Sequence, residues 1–452
     1  MKGFLAQTLI PAVKTLLGRN YSKRLRFLNK SQWWSAAEIR EFQWRELQIL
    51  LKIALDSVPF YRQKYAGIRF EDVRTWDDFR RLPILTRQEV QQNLQDLRST
   101  SFRGKSHMHS TGGSSGEPVR FYRSLESYDW RMAATARVYG WSGLHLSESS
   151  LHLWGAPVGT PNWSVRLKTN IHNWARNQTI MPTFLQSESI WRDIHAYALR
   201  KKPKYLLGYV SSLTSFARFI ETSSLPVPHF VSIVAAAETL SERQREYLES
   251  VFSAPVFNTY GSREFMSIGG ECERHEGLHI NAENVVVETA EGESGGACPI
   301  LVSDLHNHAT VFLRYAIGDL GILSGRSCSC GRGLPMLERV EGRQNEMLRL
   351  SDGREVSSIF FRHTLKEIAE ILEYQVVQLS ESHVVLKVVA LPGLSEPGRA
   401  LIEREFKRVL GDTQLSIEAV KEIDKSRSGK NAMFVSVVAS GETSRRAGNL
   451  GF

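Results

Sequence analysis

From residue 101 to about residue 345, short β-type runs alternate with helical patterns, and this alternation leaves few architectures open. The strand candidates include Ser150 to Trp154, Tyr205 to Gly208, Val231 to Ala235 and Pro255 to Asn258, with helices fitting at 211–222 and 241–252. A helix between two strands carries the chain back across the sheet face, so the strands run the same way and the sheet is mostly parallel. After Gly295-Gly296 the pattern turns hairpin-like, with strands expected near 299–303, 310–314 and 320–324. Beyond about residue 345 it changes again. Strand-like Glu373 to Leu379 and His383 to Val389, helix-like 396–410 and strand-like 414–420 describe a compact α+β unit.

The expected fold is therefore α/β: a large N-terminal body with mostly parallel sheets and a hairpin-rich part, then a small α+β C-terminal domain. The divisions read as 1–343, 344–438 and a Gly-, Ser-, Thr- and Arg-rich tail over 439–452. Upstream, residues 32–66 carry broad apolar helical faces that end near Val58-Pro59. Leu82 to Thr86 reads as extended, with Thr86 able to cap a helix starting near Arg87.

Composition narrows the function classes. The formal net charge is +9, but Lys and Arg are scattered among Asp and Glu, and the densest cluster, Arg200 to Lys204, is short. A nucleic-acid binder needs a concentrated basic face, and none is visible. No apolar run approaches the roughly 18 to 20 residues that span a bilayer. The stretch from Met1 to Leu17 is interrupted by Pro11 and lacks a signal-peptide cleavage site, so a helix packed on the body is expected there, with loose membrane association as the lesser alternative. Four cysteines in 452 residues do not make a secreted disulfide framework, and a reducing cytoplasm is the expected location.

Five segments have the residue types of nucleotide chemistry. Ser110-Thr111-Gly112-Gly113-Ser114-Ser115-Gly116-Glu117-Pro118 combines glycines and hydroxyls that can close N–H and O–H groups around phosphate oxygens, without the Walker lysine. Asn258-Thr259-Tyr260-Gly261-Ser262-Arg263-Glu264 follows a strand and sets an aromatic ring near a carboxylate suited to Mg²⁺. Arg314 to Leu320 places Asp319 after a glycine turn, where it can accept from two ribose hydroxyls or simply close a hairpin. Val340-Glu341-Gly342-Arg343 stands where the chain's pattern shifts, and Lys430 lies in the loop Lys425 to Lys430.

The order and spacing of these segments resemble the core motifs of the adenylate-forming superfamily of acyl-CoA synthetases, luciferases and nonribosomal adenylation domains. Thr111 to Pro118, Tyr260 to Phe265, Ser57-Val58-Pro59-Phe60-Tyr61-Arg62 and Gly208 to Leu213 carry a nearer likeness. It is to the phenylacetate-CoA ligase and coenzyme F390 synthetase branch and its CapK-like subgroup, associated with capsular polysaccharide biosynthesis.

The resemblance implies residue roles. Thr111, Gly112, Gly113, Ser114, Ser115 and Gly116 would grip the ATP phosphates. Ala236, Ala237 and Glu238 would line the adenine pocket, with Tyr260 stacking on the base beside Gly261. Glu264 would bind Mg²⁺, Asp319 the ribose and Arg343 the nucleotide. Lys430 would touch carboxylate and α-phosphate, and the small domain would swing about a hinge near Asn345. Glu117, where many relatives have lysine, and Arg263, where Ser or Thr is usual, depart from the superfamily pattern but not from CapK-like chains.

Cys272, Cys328 and Cys330, with His275 or His279, offer three thiols and an imidazole, a set suited to tetrahedral zinc. The resemblance selects His279 and implies a structural zinc. Cys298 is expected to be buried and unligated.

The expected activity is ATP-dependent activation of a carboxylic acid as acyl-AMP, followed by transfer to coenzyme A or to an amine or sugar acceptor. The expected partners are a small-molecule acid and that acceptor, with no nucleic acid and no transmembrane segment; a homodimer is compatible with the sequence. The competing expectation is a catalytically degenerate nucleotide-binding scaffold in a polysaccharide pathway. Tyr209, Ser211, Ser212 and Trp154 are candidates for the acid pocket.

Overall fold

The computed structural model describes residues 20–111, 118–145, 148–154, 163–183, 187–290, 296–343, 347–357, 360–361, 364–365, 368–423 and 433–436. The chain divides into two compact units, Met1–Leu240 with Leu248–Gly342, and Ser241–Tyr247 with Arg343–Phe452.

The described part of the first unit opens with α1 (Tyr21–Ser31), α2 (Ala36–Ser57), α3 (Pro59–Lys64), α4 (Trp76–Arg80) and α5 (Arg87–Gln92). Three of these begin with a reciprocal capping box: Ser35 with Glu38, Thr75 with Asp78, and Thr86 with Glu89. In each, a hydroxyl and a carboxylate satisfy backbone donors that a helix start leaves unpaired. A hairpin of β1 (Ser106–Ser110) and β2 (Arg120–Ser124) leads into α6 (Leu125–Trp141).

The expected alternation then unfolds as β3 (Ser150–Trp154), α7 (Trp163–Ala175), β4 (Gln178–Pro182), α8 (Glu188–Lys201) and β5 (Tyr205–Tyr209). It continues through α9 (Val210–Thr222), β6 (Ser232–Ala236), α10 (Glu242–Phe252) and β7 (Val256–Ser262). Strands β4, β3, β5, β6 and β7 are neighbours in that order and parallel throughout. Every residue of β5 and β6 is buried, as a parallel strand covered on both faces requires.

At β7 the sheet changes character. It continues through β8 (Met266–Glu271) and β9 (Leu278–Ile280), antiparallel, then β13 (Met336–Arg343), β12 (Tyr315–Leu323), β11 (Cys298–Asp304) and β10 (Val285–Thr289). One sheet of eleven strands thus joins the parallel half to the hairpin-rich half.

One expected strand is absent from its place. Residues 310–314 form no named strand, and β12 begins at Tyr315. Val311, Phe312 and Leu313 are fully buried, which explains the strand-like apolar pattern. Their backbone groups bond elsewhere: Val311 N–H to Leu97 O, Leu313 N–H to the Tyr61 hydroxyl, and Arg314 N–H to Ser303 Oγ. Burial set the pattern, and scattered partners, among them Ser303 Oγ and Asp304 N–H on β11, satisfied the chain without a strand ladder.

Two buried arginines tie α6 to the antiparallel half. Arg137 donates to both Glu283 oxygens at 2.7 and 2.8 Å, to Asn281 Oδ1 at 2.8 Å and to Leu28 O at 3.1 Å. Arg131 pairs with Asp304, and both side chains are fully buried. Such pairs hold a geometry because leaving either charge alone in the interior is costly.

The second unit contains a four-stranded sheet, ordered β18 (Gln414–Ala419), β17 (His383–Ala390), β16 (Ile371–Ser380) and β19 (Phe434–Ser436). Helix α11 (Glu396–Leu410) is capped by Ser395 and buries Ile402, Phe406 and Leu410 in one cluster with Val376, Leu386 and Val388. A short ribbon of β14 (Met347–Arg349) and β15 (Glu355–Ser357) belongs to the same unit.

Candidate active site

In a parallel sheet all strands end on the same side, and loops leaving those ends form a crevice suited to ligands. Here that edge carries Trp154 at the end of β3, Tyr209 at the end of β5, Ala236 at the end of β6, and Tyr260 and Gly261 on β7. The sequence-selected residues from four separate stretches are therefore gathered by one topological fact.

Ala237, just past β6, has a φ of 69°. A left-handed backbone at a non-glycine residue is held there only by surrounding structure. The turn sends Glu238 to the start of α9, where its carboxylate accepts from Ser211 N–H at 2.7 Å and Ser211 Oγ–H at 3.0 Å. A carboxylate at a helix N-terminus meets unpaired donors and the positive end of the helix dipole. Glu238 thereby links the expected adenine stretch to two acid-pocket candidates. Ser212 hydrogen-bonds Thr183 at 2.8 Å, and the Trp154 and Tyr209 rings lie 4.6 Å apart at 44°.

On the next strand, Tyr260 donates its hydroxyl proton to Asp319 Oδ2 at 2.9 Å. The two residues are 59 apart in sequence, and their contact joins the expected base platform to the expected ribose acceptor. Gly261 makes the approach tight: a Cβ there would meet Met266 O at 2.0 Å, at a register shift between β7 and β8. Gly261→Ala is expected to lower stability by about 1–3 kcal/mol through overpacking, read as a lower midpoint in urea with an unchanged slope. An unaltered midpoint would show that the hairpin yields freely.

Glu264 lies in the turn after β7 and is only 5% exposed. One carboxylate oxygen is 3.5 Å from the Tyr315 hydroxyl and 3.8 Å from an Arg87 nitrogen. Burial, with the Glu264 charge next, pushes the Tyr315 hydroxyl up, so it stays protonated and able to donate. Neither Arg87 nor Tyr315 was among the sequence candidates. The early hints were Thr86 as a cap, which places Arg87 at the first position of α5, and the position of Tyr315 within the Arg314 to Leu320 segment.

The neck of the expected phosphate loop is also in place. Thr111 N–H donates to Val119 O, and Val119 N–H donates to Thr111 Oγ1, both at 2.9 Å. Arg263, beside Glu264, reaches Ser110 O at 3.4 Å, so the loop is rooted next to the carboxylate. Gly112, Gly113, Ser114, Ser115, Gly116, Lys430 and the hinge position Asn345 lie outside the described residues, as does the side chain of Arg343.

A separate cluster stands away from these groups in the fold's connectivity. Cys272 follows β8, His279 is on β9, and Cys328 and Cys330 sit between β12 and β13; their ligand atoms all lie within 4.8 Å of one another. The Cys272 and Cys328 sulfurs are 3.7 Å apart, and Cys330 Sγ is 3.3 Å from His279 Nε2. Two thiolates at about 2.3 Å from a tetrahedral ion would stand about 3.8 Å apart, so the donor set fits zinc in kind and spacing. Burial, then the Arg332 cation, holds the His279 imidazole down to about 4, leaving it neutral near pH 7 as a ligand must be. His275, the other histidine considered, instead bonds Glu271 at 3.1 Å through Nδ1. Cys298 departs from expectation: it is half-buried, with Sγ 3.6 Å from Gly296 O.

Comparison with known proteins adds relatives. The CapK C-terminal domain family matches residues 348–437. The chain is 23% identical to protein CapK of Staphylococcus aureus over 322 residues, 68% of each chain. It is 25% identical to phenylacetate-coenzyme A ligase of Escherichia coli (strain K12), covering 70% of this chain and 73% of that one. Among solved structures, 2-hydroxyisobutyryl-CoA ligase in the postadenylation state, in complex with 2-HIB-AMP, superposes with a TM-score of 0.66. The identity is 18%, over 89% of this chain and 90% of that one, a likeness of fold.

Proposed function

From the premise that this chain is an AMP-forming ligase related to CapK and to the phenylacetate-coenzyme A ligases, we propose that it activates a small carboxylic acid with ATP and passes the acyl group to coenzyme A or to an amine or sugar acceptor. The contact of Tyr260 with Asp319, on the strand that leads into Arg263 and Glu264, is the observation that most supports this reading, with Arg263 reaching Ser110 O at the loop neck.

In the first half-reaction a carboxylate oxygen bonds to the α-phosphorus, the bond to the β-phosphate oxygen breaks, and pyrophosphate leaves. In the second, the acceptor's thiol or amine attacks the acyl carbon and AMP leaves. Both partners of the first step are anionic, so the site's task is to hold them in line and offset charge. Tyr260 and Asp319 would fix base and ribose, the 111–116 loop the outer phosphates, and Lys430 the reacting oxygens. A carboxylate oxygen is the hard donor magnesium takes, and at Glu264 such an ion would supply positive charge to the phosphates. Arg87 and Tyr315, 3.8 and 3.5 Å from one of its oxygens, would help to orient that carboxylate. The zinc set would serve as a closed structural site, with four protein ligands and no open position.

The test is pyrophosphate release from ATP and magnesium against a panel of carboxylic acids, each with coenzyme A, hydroxylamine or no acceptor. Acid-dependent release is expected, and the acceptor that speeds turnover names the second half-reaction. ATP binding without release for any acid would favour the nucleotide-binding scaffold instead. A role in polysaccharide synthesis predicts that the preferred acceptor is a sugar amine rather than coenzyme A.

A further inference from the structure

Helix α7 turns an apolar stripe outward. Trp163, Leu167, Ile171 and Trp174 are 79%, 50%, 57% and 48% exposed. Their spacing of four, four and three residues keeps them within about 80° of one another around a helix. Ile180 on β4, the edge strand next along the chain, is 42% exposed as well. Scattered exposed apolar residues are ordinary, but a continuous stripe with tryptophan at both ends marks a contact surface.

The charge carried by the helix itself has one sign. The sequence of α7 contains Arg166 and Lys168 and neither Asp nor Glu, and Arg176 follows directly. Arg176 stands beside the Tyr21 hydroxyl at the start of α1. The chain before Glu38 also lacks any acidic residue, while carrying Lys2, Lys14, Arg19, Lys23, Arg26 and Lys30. Lys23, Arg26 and Lys30 are exposed, whereas Arg24 is already paired with Glu126. Thus an exposed apolar stripe and an acid-free cationic segment meet at Tyr21 and Arg176, two residues beyond Trp174.

We propose that this face lies on the surface of a bilayer containing anionic lipid, with the α7 stripe entering the headgroup region and the cations meeting the lipid charge. No helix among the described residues is long and apolar enough to cross a membrane, and none is needed. A helix lying in the interface requires one apolar face, tryptophan at the headgroup level and basic flanks. The inference stands independently of the adenylation reading, since none of these residues belongs to the candidate site.

The experiment is co-sedimentation of the full chain with vesicles of phosphatidylcholine alone or with about one-third phosphatidylglycerol. Binding is expected only with phosphatidylglycerol, and weakened at about 0.5 M salt as the surface charges are screened. Trp163→Ser with Trp174→Ser should lower the bound fraction on the order of tenfold or more, and Leu167→Glu should lower it through repulsion. Both variants should keep the parent's thermal midpoint and pyrophosphate release, because the altered side chains are exposed. Absence of binding to the phosphatidylglycerol vesicles, or equal binding by the variants, would overturn the proposal. Light scattering on the same samples would then assign the stripe: a dimer dissolved by the variants points to a second copy, and a monomer to cover by residues 1–19.

Discussion

Glu264→Gln is expected to slow acid-dependent pyrophosphate release on the order of 10²- to 10³-fold, the range for removing a charge that stabilises a transition state. Glutamine keeps the size of the side chain and an oxygen for the Tyr315 hydroxyl, so the thermal midpoint should hardly move. What is lost is the full negative charge that would hold magnesium against the phosphates. The deficit should therefore shrink in part as magnesium is raised, because mass action offsets a weakened ion site. Lys430→Ala should produce a loss of similar size for a different reason, the removal of positive charge from the reacting oxygens, with ATP affinity changed much less than turnover. Single-turnover measurements separate the two effects. Release within about threefold of the parent in Glu264→Gln would remove this carboxylate from the chemistry and leave it a structural partner of Arg87 and Tyr315.

Purified under reducing conditions without chelator, the protein is expected to carry one zinc ion per chain by elemental analysis. Stripping it, or replacing Cys330 by Ser, should lower stability by about 2–5 kcal/mol, comparable with removal of a native crosslink. The four donors come from the residue after β8, from β9 and from the segment between β12 and β13, so the ion would pin that segment to the antiparallel half of the sheet. Without it the site holds three crowded thiols: burial, and then the neighbouring Cys330 charge, push Cys272 above the ordinary thiol range. Cys298→Ser is the control, since that thiol is half-buried and away from the cluster. Zinc absent from the protein, with a chelator leaving the midpoint unchanged, would reduce the cluster to buried cysteines.

Much of the parallel half could be read in advance because its signals are local. The runs at Ser150–Trp154 and Tyr205–Tyr209, and the helix at Glu396–Leu410, each carry their own periodicity, and each formed within a residue or two of expectation. The capping of α5 by Thr86 is of the same kind, since cap and partner are three residues apart. The stretch at 310–314 misled because burial and strand formation leave the same apolar pattern. Only the positions of Leu97, Tyr61 and Ser303 reveal that its backbone groups find scattered partners rather than a strand ladder.

The residue types of the site were likewise visible, while their company was not. Tyr260, Glu264 and Asp319 stood out as an aromatic ring and carboxylates beside glycine turns. That Glu264 is held between Arg87 and Tyr315, and that Glu238 points to the start of α9, could not be seen from spacing. Arg131 and Arg137 looked like ordinary helical cations until Asp304 and Glu283 arrived beside them in the interior, the latter pair 146 residues apart. The sequence alone determined the periodicities, the caps, the glycine-bounded turns and the supply of nucleotide- and zinc-type donors, because each depends on neighbours within a few residues. The tertiary structure decided which of those donors meet, which charges are buried and which apolar stripe on α7 stays exposed, because these depend on contacts between distant segments that form only when the sheet is assembled.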